Sequence, residues 1–324
     1  MRSFARPNVV VSKCLGFAKC RYNGEIIYDY IVERLKPFVN FIPVCPEVEI
    51  GLGIPRYPVR IVLDTGTGQL HLYQPATKKD LTNEMASFID KYLSSLSEID
   101  GFILKYRSPS CGINSVKVYN GFHSEARAIS GKGFFGAAVL NRFSGLAIED
   151  EGRLKNFTIR EYFLTKLFTL ANFRSVKKSR RMAELVRFHT INKLLFMAHS
   201  QVKLRELGQI VANPGRAKLE VVFSNYEKTL YQLLSRAPTF KSWINVIMHA
   251  FGGISDRLTA KEREFFLNLI EEYRDERIPL SVLTRMIESW AVRFNDQYLL
   301  EQTFISPYPK ELIEITDSGK GRNR

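Results

Sequence analysis

Within the first 150 residues, short apolar runs alternate with stretches of helical spacing, and the alternation stops near Thr158. The runs are Val9-Val10-Val11, Phe41-Ile42-Pro43-Val44, Arg60-Ile61-Val62-Leu63 and Phe102-Ile103-Leu104, each bounded by Gly, Pro, Asp or Asn. Between them, residues 25–38 carry Ile27, Ile31 and Leu35 four apart. Residues 80–96 carry Leu81, Met85, Phe88, Ile89 and Tyr92. Short buried strands alternating with amphipathic helices define an α/β class, here a Rossmann-like layer around a largely parallel sheet. From Thr158 onward only helical periodicity remains. Leu185, Phe188, Leu195 and Ala198 mark one helix, Glu264, Phe265, Leu267 and Ile270 fall in another, and Pro279 opens a third that ends near Phe294. The expected organisation is an α/β domain over 1–170, an all-α domain over 171–310, and a basic disordered tail over 311–324. Lys177-Lys178-Ser179-Arg180-Arg181 reads as a polar junction between the halves.

Composition removes several classes. A chain of 324 residues that is 45% hydrophobic and 25% charged is not collagen-like, low-complexity or mainly disordered. No run approaches the roughly 18 apolar residues of a membrane span, and the first seven residues lack the apolar stretch of a secretory signal. Four cysteines do not make a disulfide scaffold, so free thiols or metal ligands are expected, in a soluble cytoplasmic protein with no membrane partner.

The net charge of +14 is unevenly spread. Residues 1–150 hold 18 basic and 14 acidic side chains, and the remainder 29 and 19. A positive excess concentrated in the second half favours a polyanion partner, nucleic acid ahead of a membrane surface. Lys177, Lys178, Arg180, Arg181, Arg187, His189 and Lys193 are the candidate RNA contacts, with Lys203 and Arg205 beyond them. His189 and Lys193, four apart, would share a helical face. No stable protein partner is inferred.

Three cysteines occupy equivalent places. Cys14 follows the first strand, Cys45 directly follows Val44, and Cys111 sits in the loop after Leu104. In a parallel sheet the carboxyl ends of the strands open on one edge, where ligands bind. Three thiolates converging there would form a soft metal site, suited to zinc or an iron–sulfur cluster. Cys20, six residues past Cys14, is expected to be carried away from it. Glu47, two after Cys45, and Ser108, three before Cys111, flank the crevice, where a carboxyl group can move protons and a hydroxyl can position a substrate; the alternatives are a surface carboxylate and a turn-forming Ser before Pro. Asp64-Thr65-Gly66 lacks the second copy of an aspartic-protease dyad. Gly131-Lys132-Gly133 and Gly51-Leu52-Gly53 lack the spacing of nucleotide-binding loops. Turn chemistry is expected for all three.

Several ordered motifs carry a resemblance. Ser12-Lys13-Cys14-Leu15-Gly16 is followed by Cys20-Arg21-Tyr22-Asn23-Gly24, then by Val44-Cys45-Pro46-Glu47 and Gly51-Leu52-Gly53-Ile54-Pro55-Arg56. Leu104-Lys105, Arg107-Ser108-Pro109-Ser110-Cys111-Gly112 and Glu149-Asp150-Glu151-Gly152-Arg153-Leu154 complete the set. Together these resemble the thiouracil desulfurase (TudS) family over about residues 8–170. The second half is similar to a helical companion domain of unknown function. It does so through Leu185-Val186-Arg187-Phe188-His189, Lys193, Ala198-His199, Leu207-Gly208, Ile278-Pro279-Leu280, Tyr298-Leu299, Gln302-Thr303 and Pro307-Tyr308-Pro309. This two-domain order resembles that of bacterial desulfidases that return 4-thiouridine in transfer RNA to uridine.

The resemblance implies a [4Fe-4S] cluster held by Cys14, Cys45 and Cys111, with Glu47 and Ser108 as catalytic side chains. It also implies thiolated tRNA as substrate and partner, and non-redox removal of sulfur as sulfide. The rival readings are desulfuration of free thiolated pyrimidines such as 2-thiouracil, and a non-catalytic metal-containing RNA-binding module. Two positions depart from the family pattern: Asn23 stands where Asp is usual, and Tyr106 where a small polar residue is expected.

Overall fold

Val9, Val10 and Val11 have no exposed surface, because the strand they form is covered on both faces and paired on both edges. The structure is a computed structural model that describes residues 3–123 and 125–314. Its chain runs β1 (Asn8–Ser12), α1 (Tyr30–Leu35), β2 (Asn40–Val44), α2 (Pro46–Glu49), β3 (Arg60–Leu63), β4 (Leu70–Gln74) and β5 (Lys79–Asp80). It continues through α3 (Thr82–Ser95), β6 (Gly101–Leu104), β7 (Val116–Asn120), β8 (Ala128–Gly131), α4 (Phe134–Arg142), β9 (Ala147–Asp150) and α5 (Phe157–Ser179). Two compact units result: residues through Asn172 with the segment from Glu311 onward, and Phe173–Lys310.

In the first unit, an all-parallel sheet has the order β2-β1-β6-β9. From β1 the chain passes first to β2 on one side and later to β6 on the other, so the order reverses at β1. That reversal creates a crevice at the carboxyl edge, the usual ligand position in such sheets. β3 does not join this sheet. It pairs with β4 and β7 in a mixed second sheet ordered β5-β4-β3-β7-β8, cored by Ile61, Val116 and Val118. The helix expected over 25–38 is confined to α1. Asp29 caps it by accepting from the backbone N–H groups of Ile31 and Val32 at 3.1 and 3.0 Å. Ile27 ahead of the cap instead donates its N–H to Cys14 O at 2.8 Å, tying that segment to the loop after β1.

The second unit contains α6 (Met182–Ile191), α7 (Lys193–His199), α8 (Gln201–Ala212), α9 (Leu219–Leu233), α10 (Phe240–Gly252), α11 (Ala260–Arg274), α12 (Leu280–Arg293) and α13 (Gln297–Glu301). Its core holds two aromatic groups, Phe173, Phe188, Phe196 and Tyr226 in one and Phe251, Phe266 and Trp290 in the other. The single helix expected across 185–198 is two helices. Buried Asn192 breaks it: Nδ2 donates to Phe188 O at 2.8 Å, and Oδ1 accepts from Thr303 Oγ1 at 2.7 Å. Gln302 spans the break, donating to Thr190 O at 3.0 Å and accepting from Leu194 N at 3.1 Å. His189 and Lys193 therefore lie on different helices and do not share one helical face.

The expected junction at 177–181 is the end of α5, a left-handed Arg180 (φ 50°) and the N-cap residue of α6, and it lies within the second unit. The tail expected from 311 begins with a buried Leu312 and with Glu314, which pairs with Arg34 at 2.7 Å. Residues 315–324 lie outside the described residues. Among the described residues no helix is long and apolar enough to cross a membrane.

Candidate active site

The carboxyl ends of three adjacent strands deliver the three cysteines. Cys14 lies in the turn after β1, Cys45 is the N-cap residue of α2 directly after β2, and Cys111 lies in the loop after β6. All four cysteines are free thiols. Cys20 is buried and returns to the cluster, contrary to the expectation that its loop removes it. Tight turns fold the segment back: Phe17 and Ala18 donate their N–H groups to Lys13 O, and Cys20 donates to Ala18 O at 2.9 Å. Its thiol is hydrogen-bonded to those of both Cys14 and Cys45.

These surroundings favour the protonated thiol at Cys20, Cys45 and Cys111. The Cys14 hydrogen bond raises the Cys20 thiol to about 11, against an opposing effect of Cys45. The bond to Cys20 and then burial push the Cys45 thiol well up. Burial pushes Cys111 up to about 12, while hydrogen bonds from Ser12 and Ser108 pull it down. Among the described residues no three His, Cys, Asp or Glu side chains are grouped to hold a metal ion. A cubane cluster gives each thiolate its own iron and does not require that grouping.

The Cys111 loop is seated by close backbone packing. Gly133, Phe134 and Gly136, at the start of α4, donate N–H groups to Gly112 O, Pro109 O and Ser110 O at 2.7, 3.1 and 3.1 Å. A Cβ on Gly136 would come within 2.6 Å of Cys111 O and 2.5 Å of Gly112 O, so a side chain there is excluded. Ser108 Oγ accepts from the N–H groups of Ser110 and Cys111 at 3.2 and 3.1 Å, which uses the lone pairs of its hydroxyl. Its own proton faces the Cys111 thiol, which that contact pulls down.

Glu47 is the second residue of α2, with both carboxylate oxygens engaged. Oε2 accepts from Arg56 Nε at 2.8 Å and lies 2.6 Å from Arg56 Nη2, while Oε1 accepts from Ser110 Oγ at 3.0 Å. Arg56 Nη1 also donates to Cys20 O at 3.0 Å. Glu47 is thus linked to the Cys20 loop through Arg56 and to the Cys111 loop through Ser110. Neither Arg56 nor Ser110 was singled out by chemistry alone, although both lie inside motifs that carry the family resemblance. At the end of the sheet, Lys105 Nζ pairs with Glu151, and Glu151 also accepts from Tyr106 N at 2.6 Å. Asp150 is buried, and burial raises its carboxyl to about 6. The decoy Asp64 is turn chemistry, accepting from Gly66 N and Thr67 Oγ1, both at 2.9 Å.

The candidate RNA contacts belong to the second unit. Lys177 pairs with Glu227 at 2.7 Å, Arg181 with Glu184 at 2.9 Å and Arg187 with Glu301 at 4.0 Å. Lys203 pairs with Glu206 at 2.7 Å. His189 Nδ1 lies 3.2 Å from Tyr226 Oη, and burial followed by Lys193 lowers its pKa. Lys193 begins α7 and is exposed. Lys178 is in α5, and Arg205 is exposed on α8.

A sheet-edge crevice lined by thiols, beside a clamped carboxylate, defines an α/β protein whose site is built for soft-sulfur chemistry. The chain belongs to the 2-thiouracil desulfurase family, whose model matches residues 9–151, and a model described as a protein of unknown function (DUF1722) matches residues 193–309. The chain is 33% identical over 153 residues to uncharacterized protein YbbK of Bacillus subtilis (strain 168), covering 46% of this chain and 98% of that protein. It is 28% identical over 158 residues to uncharacterized protein YbgA of Escherichia coli (strain K12), covering 48% and 93%. Among solved structures it is similar to the [4Fe-4S]-dependent thiouracil desulfidase TudS. The identity is 29% and the TM-score 0.36, over 46% of this chain and 93% of that one.

Proposed function

We propose that this chain is an iron–sulfur desulfidase that converts 4-thiouridine in tRNA to uridine and sulfide. The observation that carries the reading is the delivery of Cys14, Cys45 and Cys111 from adjacent strand ends to the crevice that Glu47 faces through its Arg56 and Ser110 partners. An all-sulfur donor set suits a [4Fe-4S] cluster, and three ligands leave one iron open. When bound, such a cluster supplies a soft Lewis acid for the thiocarbonyl sulfur.

The chain's own side chains account for the protons. Glu47, paired with Arg56, takes a proton from the attacking water and returns it as sulfur departs. Ser108, its lone pairs spent on backbone N–H groups, turns its hydroxyl proton from the Cys111 sulfur to the base when substrate binds. A carbon–oxygen bond replaces a carbon–sulfur bond, and sulfide leaves with the electron pair, so no reductant or oxidant is consumed. In the second unit, Lys177, Lys178, Arg180, Arg181, Arg187, His189 and Lys193 are proposed to meet the RNA. The basic excess beyond residue 150 supports that role.

The family's own description favours a second substrate, the free base 2-thiouracil. Anaerobic incubation with thiolated tRNA and, separately, with free thiouracil distinguishes them, read by nucleoside mass spectrometry and a sulfide assay. Sulfide from tRNA supports the first reading, and sulfide only from the free base replaces it with the second. Binding of tRNA without sulfide from either substrate leaves a metal-containing RNA-binding module.

A further inference from the structure

We propose that Arg56 is the positioning residue of the site: its guanidinium fixes the Glu47 carboxylate against the loop that bears Cys20. The proposal rests on the desulfidase reading, in which Glu47 moves the proton. The side chains of Arg56 and Glu47 are largely shielded, 6% and 12% exposed. Nε and Nη2 both reach Glu47 Oε2, at 2.8 and 2.6 Å, and Nη1 reaches Cys20 O at 3.0 Å. The Arg56 backbone is anchored as well, its N–H donating to Tyr22 O at 2.8 Å.

A glutamate on a four-residue helix has three side-chain torsions and no fixed direction of its own. The planar fork removes that freedom, because three nitrogens in one plane engage a carboxylate oxygen and a carbonyl oxygen together. Ser110 holds the other oxygen, Oε1, from the opposite loop. An ammonium group would supply the charge without the fork. The arginine also compensates a carboxylate that would otherwise be buried without a counter-charge. Through Cys20 O, the same side chain steadies the segment whose thiol is hydrogen-bonded to those of Cys14 and Cys45.

The test uses the full chain with Arg56→Ala and Arg56→Lys, reconstituted anaerobically. Both variants are expected to bind iron and show visible absorbance as the unaltered chain does. Their kcat should fall about 10- to 100-fold, the scale of a misplaced catalytic group, with KM within about threefold. Guanidinium ion at tens of millimolar should restore most of the Arg56→Ala loss and none of the Arg56→Lys loss. Undiminished kcat in Arg56→Ala overturns the proposal. So does a loss that tracks missing iron and does not respond to guanidinium.

Hydrogen exchange in the cluster-free protein reads the clamp without turnover. Exchange over residues 46–52 should rise in Arg56→Ala and fall back with guanidinium, and unchanged exchange overturns the clamp. If the unaltered chain releases no sulfide from any thiolated base while exchange responds as stated, the desulfidase reading fails and the clamp stands.

Discussion

Ser110 Oγ donates to Glu47 Oε1 at 3.0 Å, whereas Ser108 Oγ turns back to accept from the backbone N–H groups of Ser110 and Cys111. Two serines two residues apart thus do different things. One completes the shell of the carboxylate, and the other shapes the loop that presents Cys111. Their substitutions should separate. Ser110→Ala is expected to lower kcat about tenfold with iron content retained. Ser108→Ala leaves two N–H groups without their acceptor, a cost of about 1–3 kcal/mol, and should lower both iron retention and turnover. Iron analysis beside initial rates checks the pair.

Glu47→Gln keeps the shape of the side chain and removes the proton acceptor. Cluster absorbance should persist while turnover falls by about 100-fold or more, within the range for loss of a general base. Turnover equal to that of the unaltered chain would remove Glu47 from the scheme.

Gly136→Ala tests the seat of the Cys111 loop. The added Cβ would meet the Cys111 and Gly112 carbonyl oxygens at 2.6 and 2.5 Å, so backbone must move. Iron bound per chain after anaerobic reconstitution is expected to drop several-fold. The same change at Gly252, where a Cβ meets nothing within 4 Å, should leave it unaltered.

Asp150 gives a pH signature. Burial raises its carboxyl to about 6 in the folded protein, above the unfolded value of about 3.9. The folded state therefore binds the proton more tightly, so this group favours folding most below the unfolded value, and that contribution is lost as pH rises through about 6. Asp150→Asn can keep an acceptor for Arg153 N, now at 2.8 Å, and removes the buried charge. It should raise Tm at pH 7.5, by the equivalent of about 2–3 kcal/mol, and raise it much less at pH 4.5. An equal gain at both values would contradict the assignment.

RNA binding by the second unit should follow counterion release, with log K falling linearly in log salt. Lys193→Ala, at an exposed lysine, is expected to reduce that slope by about one. Lys177 is already paired with Glu227, and its substitution should change the slope less. Filter binding across a salt series decides between them.

Much of this was legible in the sequence. The valines of β1, the apolar run of β6 and the placement of Cys14, Cys45 and Cys111 after strands all follow from local pattern and parallel-sheet topology. The second sheet was not legible, because β4, β5, β7 and β8 are short or polar-faced and draw their pairing from distant partners. Helix ends set by side chains were missed for the same reason. Asp29 begins α1 five residues after Gly24, and Asn192 divides α6 from α7 using Thr303, more than a hundred residues away. Arg56 and Cys20 show the limit most clearly. Sequence spacing separates Arg56 from Glu47 by a loop and Cys20 from Cys14 by a turn, and only the folded backbone brings each pair together.

The ligand set is the centre of the proposal, and iron with acid-labile sulfide content in single cysteine variants tests it most directly. After anaerobic reconstitution, Cys14→Ser, Cys45→Ser and Cys111→Ser are each expected to lose the cubane's iron, and Cys20→Ser to retain it. Full iron in any of the first three, or loss confined to Cys20→Ser, would contradict the assignment.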